Sequence, residues 1–214
     1  IFELERTTWS DQAATAADVT ILQVFRDLFS SEVLRPGQEI SVGSTTLMFT
    51  DLRNSTKLYR EIGDAPAFGR VREHFEILEQ AIVAEGGSIV KTMGDSVMAA
   101  FRSPVSAVKA IWDVQKQLSA RGEPLLSIKA GIHYGPCIVV NLNDRLDYFG
   151  STVNIAARLP NFSVGGEVIL SEPIRNDPEA LAFLEKNAAP NSLTRFQTEI
   201  RGYDKLMELW KIKV

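Results

Sequence analysis

Two short apolar, β-rich runs at residues 88–92 and 96–101 flank Met93-Gly94-Asp95. Only a tight hairpin accommodates that arrangement, with a strand on either side of the turn. Before it, Phe68, Val71, Phe75, Leu78 and Ile82 recur at helical spacing and stop at Gly86-Gly87. After it, Ser103-Pro104 opens a second helical stripe of Val105, Val108, Ile111, Trp112 and Leu118. A buried strand is expected at 44–50, and two more at 125–133 and 136–142. The order is strand, helix, strand, strand, helix, strand. It predicts an α+β fold with a ferredoxin-like βαββαβ core. A helix over about 151–159, then alternating strands and helices ending at 206–214, make a C-terminal extension.

Residues 1–17 show no clear period. Ile21, Leu22, Phe25, Leu28 and Phe29 then fall on one helical stripe that Arg35-Pro36-Gly37 ends. This helix reads either as one that packs on the domain or as a coupling helix to an upstream regulatory region. The expected division is an N-terminal segment with a linker or coupling helix at 1–40 and a catalytic domain at 41–214. A chain that begins at Ile1 reads as part of a longer protein, with its regulator outside this stretch.

At 214 residues there is enough chain for one domain with a substantial core. The net charge of −4, with no basic run, excludes a general nucleic-acid binder. An acidic protein that handles a polyanion does so locally, with metal ions and a few placed cations. A single cysteine, Cys137, rules out an internal disulfide and fits a reducing, cytoplasmic setting. No apolar stretch is long enough to span a bilayer.

Charge gathers at the ends of the apolar strands. Asp51 ends the first strand and Asp95 sits in the hairpin turn, so both carboxylates are expected to reach one point. Close carboxylates repel unless a cation lies between them, and Mg²⁺ takes oxygen ligands and completes its shell with substrate phosphates. Singly, each Asp reads first as a turn residue or a helix cap; the two together beside a Ser/Thr-rich loop favour the metal. The loop 52–56, with Ser55 as a candidate cap, leads into a helix whose free N–H groups favour phosphate. Asn154 and Arg158 lie four apart, on one helical face, and suit a ribose and a phosphate oxygen. Lys91 alternates with Val90 on a strand. With Asp147 it reads as a plain salt bridge or as a donor and acceptor for a purine edge. His74 reads as structural. His133 has no second ligand at zinc spacing, and no Ser-His-Asp or Cys-His set is present.

At these residues the sequence resembles class III adenylate and guanylate cyclase catalytic domains. The resemblance rests on Phe49-Thr50-Asp51, Lys91-Thr92-Met93-Gly94-Asp95, Gly131-Ile132-His133-Tyr134-Gly135 and Asp147-Tyr148-Phe149-Gly150 through Val153-Asn154-Ile155-Ala156-Ala157-Arg158, in order, and runs over 43–214. It implies that Asp51 and Asp95, with the Leu52 carbonyl, hold two Mg²⁺ or Mn²⁺ ions. It implies that Lys91 and Asp147 read adenine, where guanylate cyclases carry Glu and Cys. Asn154 would orient the ribose and Arg158 would stabilise the transition state. Ser55 and Thr56 would meet the phosphates. Arg201 stands where relatives carry a Lys for the triphosphate. Pro136 stands where some two-domain relatives carry an Arg.

The function so implied is an adenylate cyclase, a lyase of signal transduction converting ATP to cyclic AMP and pyrophosphate. Its sites would be shared across a head-to-tail homodimer. Two rivals remain: a cyclase-like regulator that binds nucleotide without turnover, and a diguanylate cyclase or polymerase-like palm. The hairpin lacks the Gly-Gly-Asp/Glu-Glu-Phe turn of the second.

Overall fold

The computed structural model describes residues 14–29, 31–35, 37–121 and 127–214. The aperiodic tract at 1–13, Pro36 of the turn and the expected strand start at 125 lie outside them. In chain order the elements are α1 (Ala16–Ile21), α2 (Gln23–Phe29), β1 (Glu39–Leu52), α3 (Ser55–Ile62), α4 (Asp64–Ala84), β2 (Ser88–Met93), β3 (Ser96–Phe101), α5 (Pro104–Ala120), β4 (Ile128–Leu142), β5 (Arg145–Phe149) and α6 (Ser151–Ala156). A 3-10 turn (Leu159–Phe162), β6 (Glu167–Ser171), α7 (Glu172–Arg175), α8 (Pro178–Asn187), β7 (Leu193–Glu199) and β8 (Leu206–Lys213) follow.

The sheet order is β2-β3-β1-β4-β6-β8-β7, with β5 folded back on β4. Its β2-β3-β1-β4 part is the predicted ferredoxin-like core, with antiparallel pairing throughout. Alternation along β1 sorts the core into two layers. Met48 and Leu52 face α4 and α5, where Val71, Leu78, Ile82, Val108 and Ile111 are buried. Leu47 and Phe49 face the other way, onto Ile21, Met98, Val139 and Tyr148. Asp51 shares the side of Leu47 and Phe49 by that same alternation.

Four expectations change. The strands at 125–133 and 136–142 are one strand, β4. Gly135 and Pro136 look like breakers, but Pro136 lies opposite Ser44, beside a register shift in β1. A proline is tolerated at a bulge because no regular ladder bond is lost there. Gly43, at φ +68°, supplies the backbone for that shift. Gly135 is a close-approach position, since a Cβ there would stand 2.7 Å from Thr152 Oγ1. Second, the stripe at 21–29 is broken at Leu22, whose extended backbone separates α1 from α2. Ile21 is buried, whereas Leu22, Leu28 and Phe29 are exposed. Third, Ser55 is the first residue of α3 and not its cap; Asn54 holds that position in a left-handed conformation and makes no side-chain capping bond. Fourth, α6 ends at Ala156, which leaves Arg158 in the turn before the 3-10 segment. Among the described residues no helix is long and apolar enough to cross a membrane.

Candidate active site

Antiparallel pairing brings the two aspartates together. Thr50 pairs with Val97, so Asp51 comes opposite Ser96, the residue after Asp95. Ser96 Oγ donates to Asp51 Oδ1 at 2.8 Å. Lys129, across β4 from Asp51, places Nζ 3.8 Å from Oδ2. Asp95 differs: its Oδ2 is buried and has no hydrogen-bond partner among the described residues. A buried, unpaired carboxylate oxygen is costly, and a cation relieves that cost. The donor set is oxygen only, two carboxylates beside the Leu52 carbonyl, which suits a hard ion that keeps waters and phosphates as its other ligands. No group of three His, Cys, Asp or Glu side chains converges among the described residues. Leu52 itself is buried in the core, so only its backbone is available to an ion.

Lys91 and Asp147 are joined in an ion pair. The pairing depends on a bulge in β2. Ile89 opposes Ala99 and Lys91 opposes Met98, which leaves Val90 as the extra residue. Val90 and Met98 belong to one layer of the core, so Lys91 is turned onto the same side as Val90. Strict alternation would have sent it to the opposite face. Asp147 is buried on β5, where Oδ1 accepts the Tyr148 N–H at 2.9 Å.

Arg158 donates from Nη1 to the Asn154 carbonyl at 3.1 Å, and this keeps the pair adjacent although α6 has ended. The Asn154 side chain is exposed. Ser55 is half-buried and Thr56 exposed at the α3 start. Arg201 lies exposed in the β7–β8 turn, and that turn docks on α6 through Tyr203 Oη, which donates to the Ser151 carbonyl at 2.9 Å. Register places this turn at the end of the sheet opposite Asp51. One chain therefore brings Arg201 near α6 and not near the aspartates.

Three neighbours were not foreseen. Ser96 and Lys129 reach Asp51 only through strand register. His74, read as structural, is buried on α4, and neither ring nitrogen has a hydrogen-bond partner among the described residues. Burial pushes its pKa down to about 4, against an opposing pull from the Asp95 charge. Its spacing from Val71 and Leu78 marked the buried face; nothing local marked its nearness to Asp95.

Residues 38–210 match the family described as the adenylate and guanylate cyclase catalytic domain. The chain belongs to that family. An adenylate cyclase of Lachancea kluyveri is 30% identical over 194 residues, covering 78% of this chain and 10% of that protein. One from Mycosarcoma maydis is 30% identical over 164 residues, covering 65% of this chain and 6% of its own length. The chain thus spans a tenth or less of these two relatives. Among solved structures, adenylate cyclases of Trypanosoma brucei in their monomeric state align with a TM-score of 0.66 and 25% identity, over 79% of this chain and 89% of theirs. A cyclase/hydrolase from Silicibacter pomeroyi shares the fold, with a TM-score of 0.68, 21% identity, and coverage of 83% and 99%. These cyclase neighbours accord with the class III cyclase fold expected from the motifs.

Proposed function

We propose that this chain is the catalytic domain of an adenylate cyclase, converting ATP to 3′,5′-cyclic AMP and pyrophosphate. The observation that carries this reading is the Lys91–Asp147 pair, turned by the β2 bulge onto the face that Asp51 shares. Lys91 donates to a purine ring nitrogen and Asp147 accepts from an exocyclic amino group, which matches adenine. Guanine presents a carbonyl where adenine has that amino group, so Asp147 has no proton to accept. The named adenylate cyclases above, 30% identical, support the same choice.

The other residues divide the remaining work. Two Mg²⁺ or Mn²⁺ ions held by Asp51, Asp95 and the Leu52 carbonyl would supply activation of the ribose 3′-hydroxyl and neutralisation of the triphosphate. The α3 N-terminus, at Ser55 and Thr56, offers N–H groups and a positive dipole end to phosphate oxygens. Asn154 orients the ribose. Arg158 spends one of its five donors on the Asn154 carbonyl and directs the rest at charge that builds on the α-phosphate, so it acts on kcat more than on KM. Arg201 contacts the triphosphate from the opposite end of the sheet.

Strands lie about 4.8 Å apart, so the five intervals between the β2–β3 and β7–β8 turns amount to about 24 Å. That separation favours a homodimer in which one copy supplies the aspartates and the other supplies Arg201 with Asn154 and Arg158 on the α6 side, and the family resemblance adds Lys91 and Asp147 to the second group. The N-terminal segment 1–40 would connect this domain, 41–214, to a regulator beyond it.

The test is release of pyrophosphate and cyclic nucleotide from ATP and from GTP, with Mn²⁺, Mg²⁺ or excess chelator. Metal-dependent cyclic AMP formation, with ATP preferred, is the expected result. Binding of ATP without turnover would make the chain a nucleotide-binding regulator instead.

A further inference from the structure

Ile89, two residues before Lys91, and Leu146, next to Asp147, are both tied to a helix outside the family match, which begins at residue 38. On one side, Gln23 of α2 accepts the Ile89 N–H through Oε1 at 2.7 Å. Ile89 is the last regularly paired residue before the bulge that aims Lys91, and β2 is the outer strand of the sheet. Gln23 is itself steadied by Asp27, whose Oδ1 accepts from Nε2 at 2.8 Å. On the other side, Arg26 reaches β5. Its Nη2 donates to the carbonyl of Leu146, the residue before Asp147, and its Nη1 donates to the Thr20 carbonyl at 3.0 Å. Arg26 is only 6% exposed, and its guanidinium stacks over the Tyr148 ring, 5.6 Å from its centre. Between α2 and β2 a cavity of about 350 Å³ opens, lined by Gln23, Arg26, Asp27 and Lys91.

A buried arginine with both ends on backbone carbonyls is a fixed strut, because moving it strands two acceptors and a charge. Gln23 does the same for the outward N–H of an edge strand, a group that the sheet itself leaves unpaired. Each fastening lies one or two residues from a member of the ion pair.

We propose that α2 is a clamp that fixes the spacing of Lys91 and Asp147, making Gln23 and Arg26 positioning residues for base selection. This rests on the reading of Lys91 and Asp147 as the base-reading pair. Bound in place, α2 presents a donor and an acceptor at adenine spacing. Released, it lets β2 and β5 part, and both the grip on the base and the choice between bases weaken.

Four variants test the clamp: Gln23→Ala, Gln23→Glu combined with Asp27→Asn, Arg26→Ala, and a control combining Lys91→Glu with Asp147→Cys. For each, KM and kcat are measured with ATP and with GTP, together with the melting temperature. Loss of one such bond should raise KM for ATP about ten-fold and lower the ATP-to-GTP ratio of kcat/KM by a similar factor, with kcat little changed. Gln23→Glu combined with Asp27→Asn keeps the acceptor for the Ile89 N–H and reverses the donor and acceptor within α2, and should restore the ratio. Gln23 is half-buried at the surface, so its variants remain informative if Arg26→Ala does not fold. A lower melting temperature with an unchanged base ratio in Gln23→Ala would mean a merely structural contact, and the clamp is overturned. If the control erodes the ratio while Gln23→Ala leaves it alone, the clamp falls and the base-reading pair stands. A control that keeps its full ratio removes both.

Discussion

Burying a carboxylate oxygen without a donor costs free energy, and Asp95 carries that cost at Oδ2. Replacing it with Ala should therefore leave the metal-free protein as stable as before, or more stable by up to about 1–3 kcal/mol. The same change should remove the thermal stabilisation that Mn²⁺ gives the parent and should nearly abolish turnover, as should Asp51→Ala. Melting curves with and without Mn²⁺ check the first part, and a variant still stabilised by Mn²⁺ would refute the assignment. His133 supports a second residue-scale prediction. Its Nδ1 lies 2.7 Å from Ser171 Oγ, and burial pushes its pKa from about 6.5 down to about 4. The unfolded chain therefore binds a proton that the folded chain refuses between those values. Stability contributed by the neutral ring is full above pH 6.5 and is lost as pH falls toward 4, by at most about 1.4 kcal/mol per pH unit. Denaturant titrations across that window should show a shallower loss in His133→Asn. An unchanged slope would mean that the ring charges in the folded state.

At the scale of elements, much local chemistry is legible in the sequence, although the α3 cap falls on Asn54 instead of Ser55. The β2–β3 hairpin and the Ser103 cap with Pro104 stand as the sequence set them out, because a turn or a cap is decided within a few residues. Asp51 and Asp95 stand out in the sequence as charge at strand ends, and Lys91 and Asp147 as members of the motifs that carry the family resemblance. What sequence could not show were features made by a partner far along the chain. The continuity of β4 through Pro136 depends on the shift in β1, and the facing of Lys91 depends on a bulge measured against β3. The exposure of Leu28 and Phe29 depends on the break at Leu22. Gly131 is another case. A Cβ there would lie 2.3 Å from the Leu159 Cβ and 3.0 Å from the Pro160 backbone nitrogen, where the 3-10 turn rests on β4. Gly131→Ala should cost about 1–3 kcal/mol through overpacking and displace the segment that follows Arg158. Chemical denaturation should report the loss, while far-UV circular dichroism stays unchanged.

Across the whole molecule, the aspartates and the Arg201 turn occupy opposite ends and opposite halves of one sheet. In the proposed homodimer a two-fold partner would reunite the two groups, so lesions placed in different groups should complement. Asp95→Ala and Arg158→Ala are each expected to be inactive alone. Mixed with free subunit exchange, about half the dimers are hybrid with one intact site of two, and activity should return to roughly a quarter of the parent. Asp51→Ala with Asp95→Ala should recover nothing. A mixture that exchanges subunits and stays dead would place the site within a single chain. In that proposed homodimer, strand order becomes a rate law. At concentrations below the dissociation constant, turnover follows the square of the amount of protein, and ten-fold dilution lowers output on the order of a hundred-fold. Gathering chains in one small region would switch synthesis on by proximity alone, with no change of shape in either copy.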